Sequence, residues 1–158
     1  MKCISVLLLI LSVIAFAVPE NGFEPRSTQL FPSVLVRYST PIKVSGVFGI
    51  VFMQLHGNNC YSGFFTQIEP GIAGGKLNAG YRFGKHHFMP LYNIGLAVSI
   101  MQTWGSPLQD VESDQTYVGL ELVGAFSMLG LNGGVFKHIA GDDEDSNWIY
   151  SLGIGVGI

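Results

Sequence analysis

The chain has 158 residues, with 8 Lys and Arg against 11 Asp and Glu for a formal charge of −3. Charged residues are 12% and hydrophobic residues 48%, against roughly 25% charge in an average soluble domain. The length suits one domain, the mean hydropathy of +0.40 excludes a disordered chain, and the acidic balance argues against a nucleic-acid partner.

The first segment reads as an address rather than as part of the fold. Lys2 gives a short positive n-region, Val6 to Phe16 an apolar h-region, and Ala15-Phe16-Ala17 the small-x-small pattern accepted by signal peptidase. These are the three parts of a secretory signal peptide, and the apolar run is too short to span a bilayer. The expected division is a signal peptide over 1–17, an N-terminal periplasmic segment over 18–32, and a barrel over 33–158. Cys3 goes with the leader, so Cys60 is the one thiol of the mature chain and makes no internal disulfide.

From there the chain alternates. Val34, Val36 and Tyr38 oppose Leu35, Arg37 and Ser39. Residues 44–55 are apolar on both faces. Phe64, Ile68 and Ile72 oppose Phe65, Gln67 and Glu69, and Leu77, Ala79, Tyr81 and Phe83 oppose Lys76, Asn78, Gly80 and Arg82. Tyr92, Ile94, Leu96, Val98 and Ile100 oppose Asn93, Gly95, Ala97 and Ser99. Val118, Leu120 and Leu122 oppose Tyr117, Gly119 and Glu121, while Leu129, Leu131 and Val135 oppose Asn132, Phe136 and His138. Trp148, Tyr150, Leu152, Ile154, Val156 and Ile158 oppose Ser151, Gly153, Gly155 and Gly157. Strand side chains point alternately to opposite faces. The pattern predicts eight strands near 33–40, 44–55, 63–73, 75–84, 90–104, 115–126, 129–138 and 147–158.

One face is large and apolar, and the other is small. A soluble sheet instead keeps a solvated polar face. An even strand count, many strands of 10–12 residues and an outward apolar face together describe a closed eight-stranded antiparallel up-and-down transmembrane barrel. Closure is required because lipid offers no partner to a sheet edge. A barrel this narrow has an interior that side chains fill, which gives the glycines a reason. Tyr38, Trp104, Trp148 and Tyr150 are expected toward the outer end and Tyr81, Phe83, Tyr92 and Phe126 toward the inner end, as two interfacial girdles.

Ser151, Gly153, Val156 and Ile158 then carry a resemblance. They are similar to the C-terminal targeting strand of bacterial outer-membrane proteins, polar-x-Gly-x-x-apolar-x-apolar, with Ile158 where that family prefers an aromatic terminus. The chain resembles the small eight-stranded barrels of that group. The resemblance implies insertion by the barrel-assembly machinery, residence in the outer membrane of a Gram-negative-type cell, and contact with outer-membrane lipid and lipopolysaccharide.

Five charges, Arg37, Glu69, Lys76, Arg82 and Glu121, are expected to point into the barrel. Buried charges need partners, and Glu69 with Arg82, on adjacent strands, is the candidate pair. An interior salt-bridge network fits a pore-less lumen better than an ion path. Seven of the 11 acids fall in the two long outer loops, among them Asp142, Asp143, Glu144 and Asp145. Carboxylates suit hard cations, but this run lacks the glycine and ligand spacing of a calcium loop. Phe136 to Gly141 weakly resembles the His-x-Ser region of outer-membrane lipid A deacylases. His138 matches the histidine, and Ala140 stands where the serine nucleophile would be. His56 and the adjacent His86 and His87 make no site, and no P-loop or zinc spacing occurs.

The reading is a small, non-enzymatic barrel with a structural or surface-ligand-binding role and no cofactor. Two alternatives stand beside it. One is a lipid A-modifying hydrolase. The other is a secreted, lipocalin-like soluble barrel with apolar residues lining a cavity and a polar exterior.

Overall fold

The computed structural model describes residues 28–56, 59–86, 90–108, 111–141 and 148–157. The expected signal peptide, residues 18–27, His87, Asp110, the acidic run Asp142 to Asp145 and Ile158 lie outside the described residues. The fold is all-β, with eight strands: β1 (Thr28–Ser39), β2 (Lys43–Leu55), β3 (Cys60–Gly71), β4 (Gly74–His86), β5 (Pro90–Thr103), β6 (Thr116–Phe126), β7 (Leu129–Ala140) and β8 (Trp148–Gly157). Every neighbouring pair is antiparallel, and β8 pairs with β1 to close the barrel. The closing seam is short: it runs from Leu35↔Gly157 to Ser39↔Gly153, while β1 and β2 pair from Thr28↔Gln54 to Ser39↔Lys43.

Five strands, β1 to β4 and β7, are longer than the alternation alone suggested. β1 starts at Thr28 because residues 28–32 pair with residues 50–54 of β2. Ladder hydrogen bonds form there although the apolar alternation is weak. β3 likewise reaches back to Cys60, and β4 runs on to His86. The connections at the end holding both termini therefore shrink to 56–59 and 87–89, while that at 127–128 is as expected. Those at the opposite, loop end are 40–42, 72–73, 104–115 and 141–147.

The period-two reading places the faces as expected. Leu96 (55% exposed), Val98 (55%), Leu152 (70%) and Ile154 (53%) are outside, and Ser99 and Ser151 are fully buried in the lumen. The ambiguous β2 resolves with Val44, Phe48, Ile50 and Phe52 outward and Val47, Val51 and Met53 inward. The polar exterior required by the soluble-barrel alternative is absent from the described strands. The outside is the apolar face.

Two interior glycines show why the small parity is needed. A Cβ at Gly119 or at Gly134 would lie 2.8 Å from the Phe136 ring. Phe136 is fully buried, so its ring fills the lumen over the places where those two residues have no side chain.

Candidate functional site

The lumen holds three layers, and each follows from which interior residues the register brings together. At the loop end Ile42, Met101, Val111, Tyr117, Phe136 and Ile149 form an apolar plug. The connection between β5 and β6 supplies Val111. Thr103 holds that loop at its base: its N–H donates to Gln115 O (2.9 Å), its carbonyl accepts from Asp114 N–H (2.9 Å), and its hydroxyl donates to Glu112 O (2.8 Å). Leu108 N–H donates to Pro41 O (3.0 Å), tying this loop to the first connection.

Beneath the plug lies a chain of alternating charges. Arg37 Nη1 meets Glu69 Oε2 at 2.6 Å, Lys76 Nζ lies 3.4 Å from the same Glu69 oxygen, and Lys76 Nζ meets Glu121 Oε1 at 2.7 Å. Ser45 Oγ donates to Glu69 Oε1 (2.7 Å), and Asn132 Nδ2 donates to Glu121 Oε1 (2.7 Å). All four charges are buried. The two-residue turn at Ile72-Ala73 sets Glu69 directly opposite Lys76. The other two links each cross an intervening strand over a serine. Arg37 of β1 reaches Glu69 of β3 past Ser45, and Lys76 of β4 reaches Glu121 of β6 past Ser99. Small residues on β2 and β5 leave the space in which these side chains meet.

Arg82 corrects one expectation. It is opposite Gly63, not Glu69. Six residues separate it from Lys76, about 20 Å of strand at ~3.3 Å per residue. The hairpin register, counted outward from the turn, therefore gives Glu69 to Lys76. The Arg82 guanidinium instead lies over the Phe65 ring, 4.1 Å from its centre. Arg82 is only 8% exposed, and among the described residues no carboxylate lies within 4.0 Å of it. Its Nε has no hydrogen-bond partner, and a buried donor left unmade costs about 1–3 kcal/mol.

Arg82 faces the third layer, a cavity of about 300 Å³. Leu35, Val51, Met53, Tyr61 and Val123 give it apolar walls, and Arg37, Gln67, Arg82 and Asn93 are its main polar groups. It extends to the rim at Phe31, Pro32, Ser127 and Met128. An interior filled throughout by side chains was expected, and this half departs from it. Sequence reasoning missed the cavity, but a signal was present. Ala125, Gly130 and Gly157 are all small and within two residues of the terminal ends of their strands, and with Ser33, midway along β1, they line this space.

The other candidate residues are placed as follows. His138 is half-buried, on the inward parity; its Nε2 lies 2.8 Å from Gln115 Oε1 and its ring 5.3 Å from that of Tyr117. Ala140 is exposed, and no serine is hydrogen-bonded to His138 among the described residues. His56 Nε2 lies 2.7 Å from Ser62 Oγ, and Cys60 is exposed with no disulfide. No group of three or more His, Cys, Asp or Glu suited to a metal ion occurs among the described residues. Of the C-terminal pattern, Ser151 and Gly153 face the lumen and Val156 faces out. No protein-family model, curated protein or solved structure matches the chain.

Proposed function

We propose that the chain is a small integral β-barrel of a Gram-negative-type outer membrane, non-enzymatic, with a structural or surface-ligand-binding role. Its leader, residues 1–17, is removed by signal peptidase, and the barrel-assembly machinery inserts the rest, with Ser151, Gly153, Val156 and Ile158 as the assembly signal. The observation that carries this reading is the inversion of the sheet. Arg37, Glu69, Lys76, Arg82 and Glu121 are buried while Val36, Leu96, Leu120, Leu152 and Ile154 are exposed. The remaining strand charges, Lys43, Lys85 and Lys137, sit within a few residues of strand ends. Water would make such an exterior an aggregation surface, whereas hydrocarbon suits it, provided that the sheet closes on itself, as it does here through the β1–β8 seam.

The dimensions agree with a bilayer. Tyr92 and Trp104, both outward and exposed, bracket β5. Twelve residues at ~3.3 Å and a tilt of ~40° span about 30 Å, against an apolar band of ~25 Å and a hydrocarbon core of ~30 Å. Trp148, Tyr150 and Tyr38 stand at the loop end and Phe83 and Phe126 at the terminal end, all exposed, in the places interfacial aromatics take. Under this reading the termini and short turns face the periplasm. The longer loops, with most of the acids, face outside, where lipopolysaccharide and its bridging cations are the nearest partners. The non-enzymatic part rests on the surroundings of His138, which is bonded to Gln115 with Ala140 in place of a nucleophile.

The test is gel mobility of the membrane-extracted protein. A closed barrel resists detergent until boiled, so unboiled protein should run faster than boiled protein. Mature protein that folds as a monomer in detergent-free buffer would defeat the membrane reading. A change in the number of acyl chains on lipid A when the gene is removed would defeat the non-enzymatic one.

A further inference from the structure

We propose that the cavity at the terminal end binds a monoanionic amphiphile, a carboxylate on an apolar body of about ten heavy atoms in all, with Arg82 holding the carboxylate.

Four observations converge on that chemistry. The space is about 300 Å³, room for about ten heavy atoms if each takes the ~30 Å³ share of a water. Its walls are mostly apolar: Leu35, Val51, Met53 and Val123 face it, so the body of the occupant must be apolar too. The polar group that sets the sign is Arg82, 8% exposed, fixed over Phe65 and with its Nε unpartnered; Arg37, which also lines the space, is neutralised by Glu69. Gln67, buried in the same lining, leaves its Oε1 unpartnered as well and directs Nε2 to Ser33 Oγ at 3.4 Å.

Charge counting selects a monoanion. The strands put three cations in the lumen, Arg37, Lys76 and Arg82, against two carboxylates, Glu69 and Glu121. Glu69 and Glu121 are both engaged by Arg37 and Lys76, which leaves a net +1 at Arg82. One carboxylate neutralises it, whereas a phosphate monoester, at about −1.5 to −2, overshoots. The planar guanidinium fork also matches a carboxylate in two parallel hydrogen bonds. Among the described residues access comes from the terminal end, past the exposed Phe31, Pro32 and Ser127, because Phe136, Tyr117 and Ile42 fill the other end. The inference does not require the exterior to face lipid, so it stands or falls apart from the membrane reading.

The experiment uses residues 18–158 refolded into nanodiscs of zwitterionic lipid and titrated with [1-¹³C]octanoate, the carboxyl resonance reporting binding. Octanol, octyl phosphate and empty nanodiscs are the comparisons, and the boiled-against-unboiled mobility shift verifies the fold of each sample. The expected result is saturable binding of one octanoate per barrel, with octanol and octyl phosphate at least tenfold weaker. Arg82→Gln should weaken octanoate at least tenfold, the loss of a charge-assisted pair. Val123→Phe should abolish binding by filling the space while the mobility shift is retained. Octanoate that partitions no more than into empty nanodiscs, or binds Arg82→Gln or Val123→Phe as well as the native chain, overturns the proposal. Octanol or octyl phosphate binding as tightly as octanoate overturns it too. A chain that stays soluble and shows no mobility shift counts against the membrane reading. The same titration is then run in buffer, where saturable octanoate binding lost in Arg82→Gln supports the proposal and its absence overturns it.

Discussion

The middle of the lumen and its terminal half are built from the same strands, yet they solve opposite problems. In the middle, Arg37, Glu69, Lys76 and Glu121 alternate in sign, and serines on the intervening strands keep them close enough to touch. That layer is crowded and balanced. Toward the termini, Ser33, Ala125, Gly130 and Gly157 leave space that both Arg37 and Arg82 line; Arg37 is paired with Glu69, whereas Arg82 meets a ring and, among the described residues, no carboxylate. A barrel of eight strands is narrow enough for side chains to fill. Whether they do depends on side-chain volume layer by layer, so one half is a structural core and the other is a receptacle.

Substitutions in the two regions should separate them. The largest effect is expected from Glu69→Ala, which strands Arg37 and Lys76 without their shared partner. Breaking a buried pair in this way costs about 3–5 kcal/mol, read as a lower urea midpoint for loss of the fast-migrating unboiled form. Val98→Arg, outward and midway between Tyr92 and Trp104 on β5, tests the outside rather than the lumen. It should cost about 2–4 kcal/mol in a lipid-supported unfolding titration, and no loss there would mean that this face does not meet hydrocarbon. The contrast itself is probed by inserting a ring in each half. Ser99→Phe intrudes where Lys76 crosses to Glu121 and should cost about 1–3 kcal/mol as overpacking does. Val123→Phe enters the cavity and should cost under about 1 kcal/mol, since the added volume meets space rather than packed atoms. Equal losses would erase the distinction between the halves. The smallest effect is expected from Lys137→Ala, whose ammonium lies 6.0 Å from the Trp148 ring centre on the exterior. The loss should be about 0.5–1 kcal/mol in the same titration.

Much of the architecture was legible because a β-strand has a period of two and the chain obeys it nearly throughout. The alternation of Trp148, Tyr150, Leu152, Ile154 and Val156 with Ser151, Gly153, Gly155 and Gly157 assigned both faces of β8 before any pairing was known. The inward placing of all five buried strand charges followed from the same parity. Strand ends were less legible, since residues 28–32 join β1 through backbone hydrogen bonds that no side-chain pattern announces. The partner of Glu69 was misjudged, because which residue lies opposite depends on where the turn sits, and a shift of the turn changes every pair.

The sequence by itself determined that one surface of this sheet is apolar and the other small or charged, because parity is a property of the local backbone. Only the tertiary structure decided who meets whom inside. Contacts such as Lys76 to Glu121 and Arg37 to Glu69 pass over an intervening strand and depend on closure, register and the volumes left by Ser45 and Ser99. The placing of Arg82 over a ring and at a cavity, away from every described carboxylate, is the remainder of that packing, fixed by distances across the barrel rather than along the chain.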